Sequence, residues 1–252
     1  QLPQRHPPLM AAPSLHADAP SPRFDVIGLD ADDTLWHSED SFADVEARFV
    51  ELVSPHAPEG VDVAAALRAT EREQLAIAGY GVKAFTLSMV RAALTVTVDT
   101  VPPAVIGRLL DFGTEMLTEQ VRLLPHVPEV LADLSRDHQL VLITKGDLVH
   151  QMRKITTSGL AHHFHHVEVV LEKDIETYAR ILDVIGVAPE RFCMVGNSVR
   201  SDILPVLALG AHAVHIPYPL LWEHEHIDHD EDLDELASIE ALPAALRATP
   251  RS

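Results

Sequence analysis

Two aspartates, Asp30 and Asp32, stand two residues apart directly after the apolar run Val26-Ile27-Gly28-Leu29. On an extended segment a period of two sends both side chains to one side, with Ala31 opposite. Carboxylates that close repel each other unless a cation or a shared proton relieves them. A hard divalent cation is the natural solution, and Mg²⁺ suits a site of few protein carboxylates completed by a phosphate. Asp-rich loops also cap helices and form turns, and Asp30 alone would be read that way. Three further apolar runs end in the same manner. Leu140–Ile143 leads into Thr144-Lys145-Gly146-Asp147, Val167–Leu171 into Glu172-Lys173, and Phe192–Val195 into Gly196-Asn197-Ser198-Val199-Arg200-Ser201-Asp202.

Those runs are the elements that must position the chemistry. Together with Ala213–Ile216 they are short and rich in β-branched residues, as suits strands buried on both faces of a parallel sheet. Helical segments fall between the last four. Asp147 to Ser158 is closed by Gly159, a helix through Thr177 and Ile181 by Gly186, and one containing Pro205 by Gly210. The alternation predicts an open α/β sheet, Rossmann-like, with right-handed crossovers. In such sheets ligands bind outside the carboxyl ends of the strands, where all four polar segments lie. Residues 38–120 interrupt the rhythm with apolar stripes at helical spacing. One runs through Phe42, Val45, Phe49, Leu52 and Val53, a second through Phe85, Met89, Ala92, Ala93 and Val96. A third holds Ile106, Leu109, Leu110, Met116 and Leu117. They predict an inserted helical domain over 38–120 beside a core of 23–37 and 121–252, and core packing explains each stripe.

The set of segments resembles the motifs of the haloacid dehalogenase superfamily, most of whose members hydrolyse phosphate esters. VIGLDADDTL is similar to the first motif, an apolar strand followed by Asp-x-Asp-x-Thr. LVLIT, ending at Thr144, resembles the second, Lys173 after VEVVLE the third, and GNSVRSD the fourth. Order and spacing agree over residues 24–216, and the insertion resembles the helical cap of members acting on small molecules. The resemblance implies a Mg²⁺-dependent phosphatase acting on a small phosphorylated metabolite. It makes Asp30 the nucleophile and Asp32 the residue that protonates the leaving oxygen and then deprotonates water. It gives Thr144 and Lys173 the phosphoryl oxygens, with Lys145 as a further substrate contact. Mg²⁺ would bind Asp30, the Asp32 backbone carbonyl, Asn197 and Asp202.

One departure stands out. The fourth motif usually begins Gly-Asp, whereas here Asn197 follows Gly196 and only Asp202 is acidic. An amide oxygen can ligate a hard cation but brings no charge. Three alternatives remain at this level: a 2-haloacid dehalogenase, against which Asp32 argues, a phosphomutase, and a binding or regulatory descendant without turnover, which Asn197 favours.

The remaining features are weaker. Gly79-Tyr80-Gly81-Val82-Lys83 interrupts the inserted helices, and Lys83 is read either as a substrate contact or as a surface residue. Trp36 is read as packing. His162, His163, His165 and His166 are expected in a solvated loop before the third strand, and Glu223–Glu235 as a solvated acidic segment. Residues 1–22 hold six of the chain's 18 prolines and are expected to be a disordered tail or leftover expression sequence, with Met10 as a natural start. The chain's 38 acidic residues against 19 basic ones, a net charge of −19, disfavour nucleic acid and anionic membranes as partners. No apolar run approaches the ~18 residues that would span a bilayer. No basic region followed by a long apolar stretch opens the chain, and Cys193 stands alone, which together predict a cytoplasmic protein.

Overall fold

A computed structural model describes residues 23–220, 222, 225, 227, 229 and 232–247. Residues 1–22 and part of 223–235 lie outside the described residues, so the expected tail is not addressed. The five apolar runs form parallel strands: β1 (Val26–Leu29), β2 (Gln139–Lys145), β3 (Phe164–Val170), β4 (Phe192–Gly196) and β5 (His212–His215). Their order is β3-β2-β1-β4-β5. Alternate residues serve opposite faces, which is why the central strands read as unbroken apolar runs. Ile27, Leu29, Leu140, Leu142, Cys193 and Val195 pack on one face with α5 (Val127–Leu134). Val26, Val141, Ile143, Phe192 and Met194 pack on the other with α7 (Ile175–Ile185) and α8 (Leu204–Leu207).

Between β1 and α5 the chain forms four α-helices with a hydrophobic cluster of their own. These are α1 (Glu39–Val53), α2 (Val63–Ala78), α3 (Val82–Val96) and α4 (Pro103–Thr118). The sequence pattern does not reveal α2, because only Val63, Leu67 and Thr70 of its 16 residues are buried. Leu110 leaves the predicted stripe and is exposed. The strand order reverses around β1, so the ends of β1 and β4 open a crevice where Asp30 and Asn197 are neighbours.

Local chemistry fixes the helices that border this crevice. Asp147 caps α6 (Leu148–Thr157) by accepting from His150 N at 2.9 Å, and Asp174 caps α7 by accepting from Thr177 N at 2.8 Å. The expectation of a histidine loop is corrected. His165 and His166 lie inside β3, an edge strand whose half-exposed faces admit polar side chains. His166 there hydrogen bonds Glu168 at 2.7 Å.

Two glycines test this packing in opposite directions. A Cβ at Gly28 would stand 2.5 Å from Phe192 Cζ and 2.9 Å from Met194 Sδ. Gly28→Ala should therefore lower the unfolding free energy by about 1–3 kcal/mol in urea titration. A Cβ at Gly107, exposed in α4, meets nothing within 4 Å. Gly107→Ala should add about 0.5–1 kcal/mol. Equal effects of one sign would contradict the packing described for both positions.

Candidate active site

Asp30 extends β1 by donating its N–H to Val195 O at 2.9 Å, which plants its buried carboxylate at the floor of the crevice. One carboxylate oxygen accepts from Lys173 Nζ, the other from Thr34 Oγ1 at 3.1 Å. The same Lys173 donates to Asp202 Oδ1 at 2.6 Å. All three side chains are buried. Burial works against the charge on Lys173, but Asp202 and Asp30 outweigh it and hold the ammonium above its ordinary range. Asp30 moves the other way. Burial, only partly offset by Lys173 and reinforced by Asp202, pushes its carboxyl up to about 7.

Asp202 reaches Lys173 because the segment after β4 turns sharply. Ser198 Oγ accepts from Ser201 N at 3.1 Å, a wide π-type turn covers Val199–Ile203, and Asp202 Oδ2 accepts from Ser198 N at 3.1 Å. Gly196 is needed there, since any Cβ would overlap the Asp202 carboxylate. Asn197 Oδ1 is linked to Asp30 through Thr34, whose hydroxyl reaches it at 3.4 Å.

Asp32 does not share a counterion with Asp30. Its carboxylate accepts from Lys154 Nζ at 2.5 Å, Trp36 Nε1 at 2.6 Å and Gln151 Nε2 at 3.0 Å. Burial would raise its pKa, but Lys154 with these hydrogen bonds outweighs it and holds the carboxylate below its usual range. The two aspartates of the pair thus contact different lysines. Asp33 is structural. It sits at φ 62° and caps the start of α1, accepting from Ser38 N at 2.8 Å and Glu39 N at 3.1 Å.

Thr144, next to last in β2, is buried, with its hydroxyl accepting from Gln151 Nε2 at 2.9 Å. Lys145 lines the crevice, and its ammonium binds Ser201 Oγ at 2.8 Å and Glu225. Lys83 is placed elsewhere. It is exposed and pairs at 2.9 Å with Asp147, which lines the crevice, while Tyr80 lines the crevice itself. Tyr80 donates to Glu172 at 2.6 Å, lies under the Lys145 ammonium at 4.5 Å and meets the Trp222 ring edge-on. The crevice encloses about 240 Å³, with the aspartates and lysines below and Phe42, Glu46, Leu75, Tyr80 and Phe85 above.

Sequence reasoning passed over four contributors. Gln151 and Lys154 are three apart on α6 and so share a face. Trp36 is buried, but it also offers its indole N–H. Glu225 corrects the expectation of a solvated acidic segment. Its carboxylate accepts from Ser198 Oγ and Ser201 Oγ, each at 2.5 Å, and from Lys145. Although burial opposes it, Lys145 and the two hydroxyls pull Glu225 down to about 2.

The donor set suits a hard cation. Two carboxylates, an amide oxygen and a backbone carbonyl are all oxygen ligands, and two buried carboxylates, Asp30 and Asp202, face the single ammonium of Lys173. Among the described residues, no three His, Cys, Asp or Glu side chains gather into a ready-made metal cluster, the histidines of β3 included.

A parallel sheet with a helical insertion and a lysine-bridged aspartate at the end of its first strand defines a hydrolase class. The family model for haloacid dehalogenase-like hydrolases matches residues 24–210, and the chain belongs to that family. It is 40% identical to a haloacid dehalogenase-like hydrolase from Xanthomonas campestris, over 92% of this chain and 94% of that one, with a TM-score of 0.82. Over 133 residues it is 30% identical to a glyceraldehyde 3-phosphate phosphatase of Methanothermobacter thermautotrophicus, covering 47% of this chain and 59% of that protein. Over 140 residues it is 34% identical to a phosphoserine phosphatase of Thermus thermophilus, covering 51% of this chain and 56% of that protein. Each match thus spans under two thirds of the curated relative. A 2-haloacid dehalogenase from Pseudomonas syringae, 20% identical over 88% of this chain and 98% of that one with a TM-score of 0.62, shares the fold. No helix among the described residues is long and apolar enough to cross a membrane.

The bridging ammonium yields a stability test. Lys173→Met strands two buried carboxylates and should cost about 3–5 kcal/mol of unfolding free energy. Adding Asp202→Asn should recover part of that loss. A single variant as stable as the wild type, by urea titration at neutral pH, would sink the bridge.

Proposed function

We propose that this protein is a Mg²⁺-dependent cytoplasmic phosphatase that hydrolyses a small phosphorylated metabolite through an aspartyl phosphate on Asp30. The observation that carries this reading is Asp32, a second carboxylate in the same crevice with its own counterion. A departing halide needs no proton, so a dehalogenase has no task for that residue. An alkoxide leaving a phosphate ester does need one.

In the first step an Asp30 oxygen forms a bond to phosphorus as the bond to the leaving oxygen breaks, and the Asp32 proton passes to that oxygen. In the second, Asp32 takes a proton from water while the water oxygen bonds to phosphorus and the Asp30–phosphorus bond breaks. Asp32 is thereby returned protonated, and the products are an alcohol and phosphate. Lys173 and Thr144, at the strand ends beside Asp30, hold the phosphoryl oxygens and offset their charge. Asp30, the Asp32 carbonyl, Asn197 and Asp202 would hold Mg²⁺, which when bound supplies positive charge between the anionic substrate and its anionic nucleophile. The upper wall, with Phe42, Phe85 and Tyr80, accepts the leaving group.

Hydrolysis of 4-nitrophenyl phosphate should require Mg²⁺ and cease with chelator. Asp30→Asn should abolish turnover without unfolding the chain, and Asp32→Asn should lower it by roughly 10²–10⁴-fold. Wild-type rates from a folded Asp30→Asn protein would remove the mechanism. The metal loop makes a separate prediction. Asp202→Asn should raise the Mg²⁺ concentration for half-maximal rate, and Asn197→Asp should lower it. If neither moves, the cation is not held by this loop.

A further inference from the structure

We infer that Lys154 is the positioning residue for the Asp32 carboxylate, so that a cation on α6 aims the proton donor at the leaving oxygen; this rests on the phosphatase reading above. Asp32 makes no hydrogen bond with Asp30, so the neighbouring carboxylate does not set its rotamer. The setting comes from three donors. Trp36 is buried, and its backbone bridges both Asp32 and Leu123, so its indole N–H is fixed in place. Gln151 is buried and anchored through the same amide nitrogen to Thr144 Oγ1 at 2.9 Å and Lys145 O at 2.6 Å. Lys154 adds the charged contact, at 2.5 Å, with its ammonium 5.9 Å above the Trp36 ring.

The backbone explains why α6 is suited to the task. Its first turn is pinned by the Asp147 cap directly after β2, which ends at the phosphate-facing Thr144 and Lys145. Gln151 and Lys154 follow on one face of that short helix, so Thr144 and the Asp32 carboxylate are placed by a single rigid element. Without Lys154, Asp32 would keep two neutral donors and lose its one cationic partner, the only one of the three that forms an ion pair with it. A proton donor must lie about 2.6–3.2 Å from its acceptor, and a misplacement of about 1 Å can reduce a rate by ~10²-fold.

The test compares two esters of similar size but different leaving groups, phenyl phosphate and 4-nitrophenyl phosphate, with Mg²⁺ present. Phenolate departs poorly unless protonated, whereas nitrophenolate is stable as an anion. The reading is kcat/KM, which covers the steps through departure of the alcohol and excludes the later hydrolysis of the phosphoenzyme. Lys154→Met should lower kcat/KM for phenyl phosphate by at least about tenfold and leave that for 4-nitrophenyl phosphate nearly unchanged. Lys154→Arg should restore the phenyl phosphate value. Should the Met variant fail to fold, Lys154→Gln, which keeps a donor without the charge, carries the same comparison. An equal loss on both esters, no loss on either, or a gain on phenyl phosphate overturns the positioning role while leaving the phosphatase reading intact. Wild-type protein that hydrolyses neither ester overturns the phosphatase reading itself and the positioning role with it.

Discussion

The buried ammonium of Lys173 sits between the carboxylates of Asp30 and Asp202 at the floor of the crevice, and the arrangement of the strand ends follows from that bridge. Burying two like charges together is unfavourable unless each is paired and hydrogen bonded. One cation serves both only because β1 and β4 are neighbours and the turn after β4 folds Asp202 back over Gly196. The remaining oxygens are satisfied locally. Thr34 donates to Asp30, and the Ser198 N–H donates to Asp202. Sheet order, a glycine without a side chain and two short polar turns therefore act as one unit.

Much of this was legible because a parallel sheet writes itself plainly into sequence. Strands buried on both faces become apolar runs, and their ends become the only places where polar residues can gather. The runs at Val26, Leu140, Phe192 and Ala213 mark strands for that reason, and Asp30, Thr144, Lys173 and Asp202 meet because each ends or follows one. The edge strand β3 was less legible. It carries histidines on half-exposed faces, so its first residues read as a loop. Helix α2 escaped for a related reason, since three buried residues among sixteen leave little periodic signal.

The groups that were not legible are those whose role depends on the whole fold. A lysine on α6 or a glutamate in an acidic stretch reads as a solvated charge, and usually is one. Lys154 and Glu225 become site residues only when the crevice closes around them. Lys83 shows the reverse. A lysine just after two glycines could be read as a substrate contact or as a surface residue, and only the fold shows it exposed and paired with Asp147 at the rim of the crevice.

The separation of counterions bears on how two neighbouring carboxylates can hold different tasks. Had Asp30 and Asp32 shared one cation or one proton, the state of either would have governed the other. Instead Lys173 holds Asp30 against Asp202, while Lys154, Trp36 and Gln151 hold Asp32 on the far side. Burial dominates at Asp30 and leaves its carboxyl near 7. At Asp32 the donors dominate and hold its carboxyl below the usual range. The asymmetry has a structural origin. Asp30 is the last residue of the sheet ladder and cannot move away from the buried floor, whereas Asp32 lies just beyond it, where α6 and Trp36 can reach its oxygens. The one-residue gap between the two aspartates is thus enough to place one in the sheet's interior and the other against a helix.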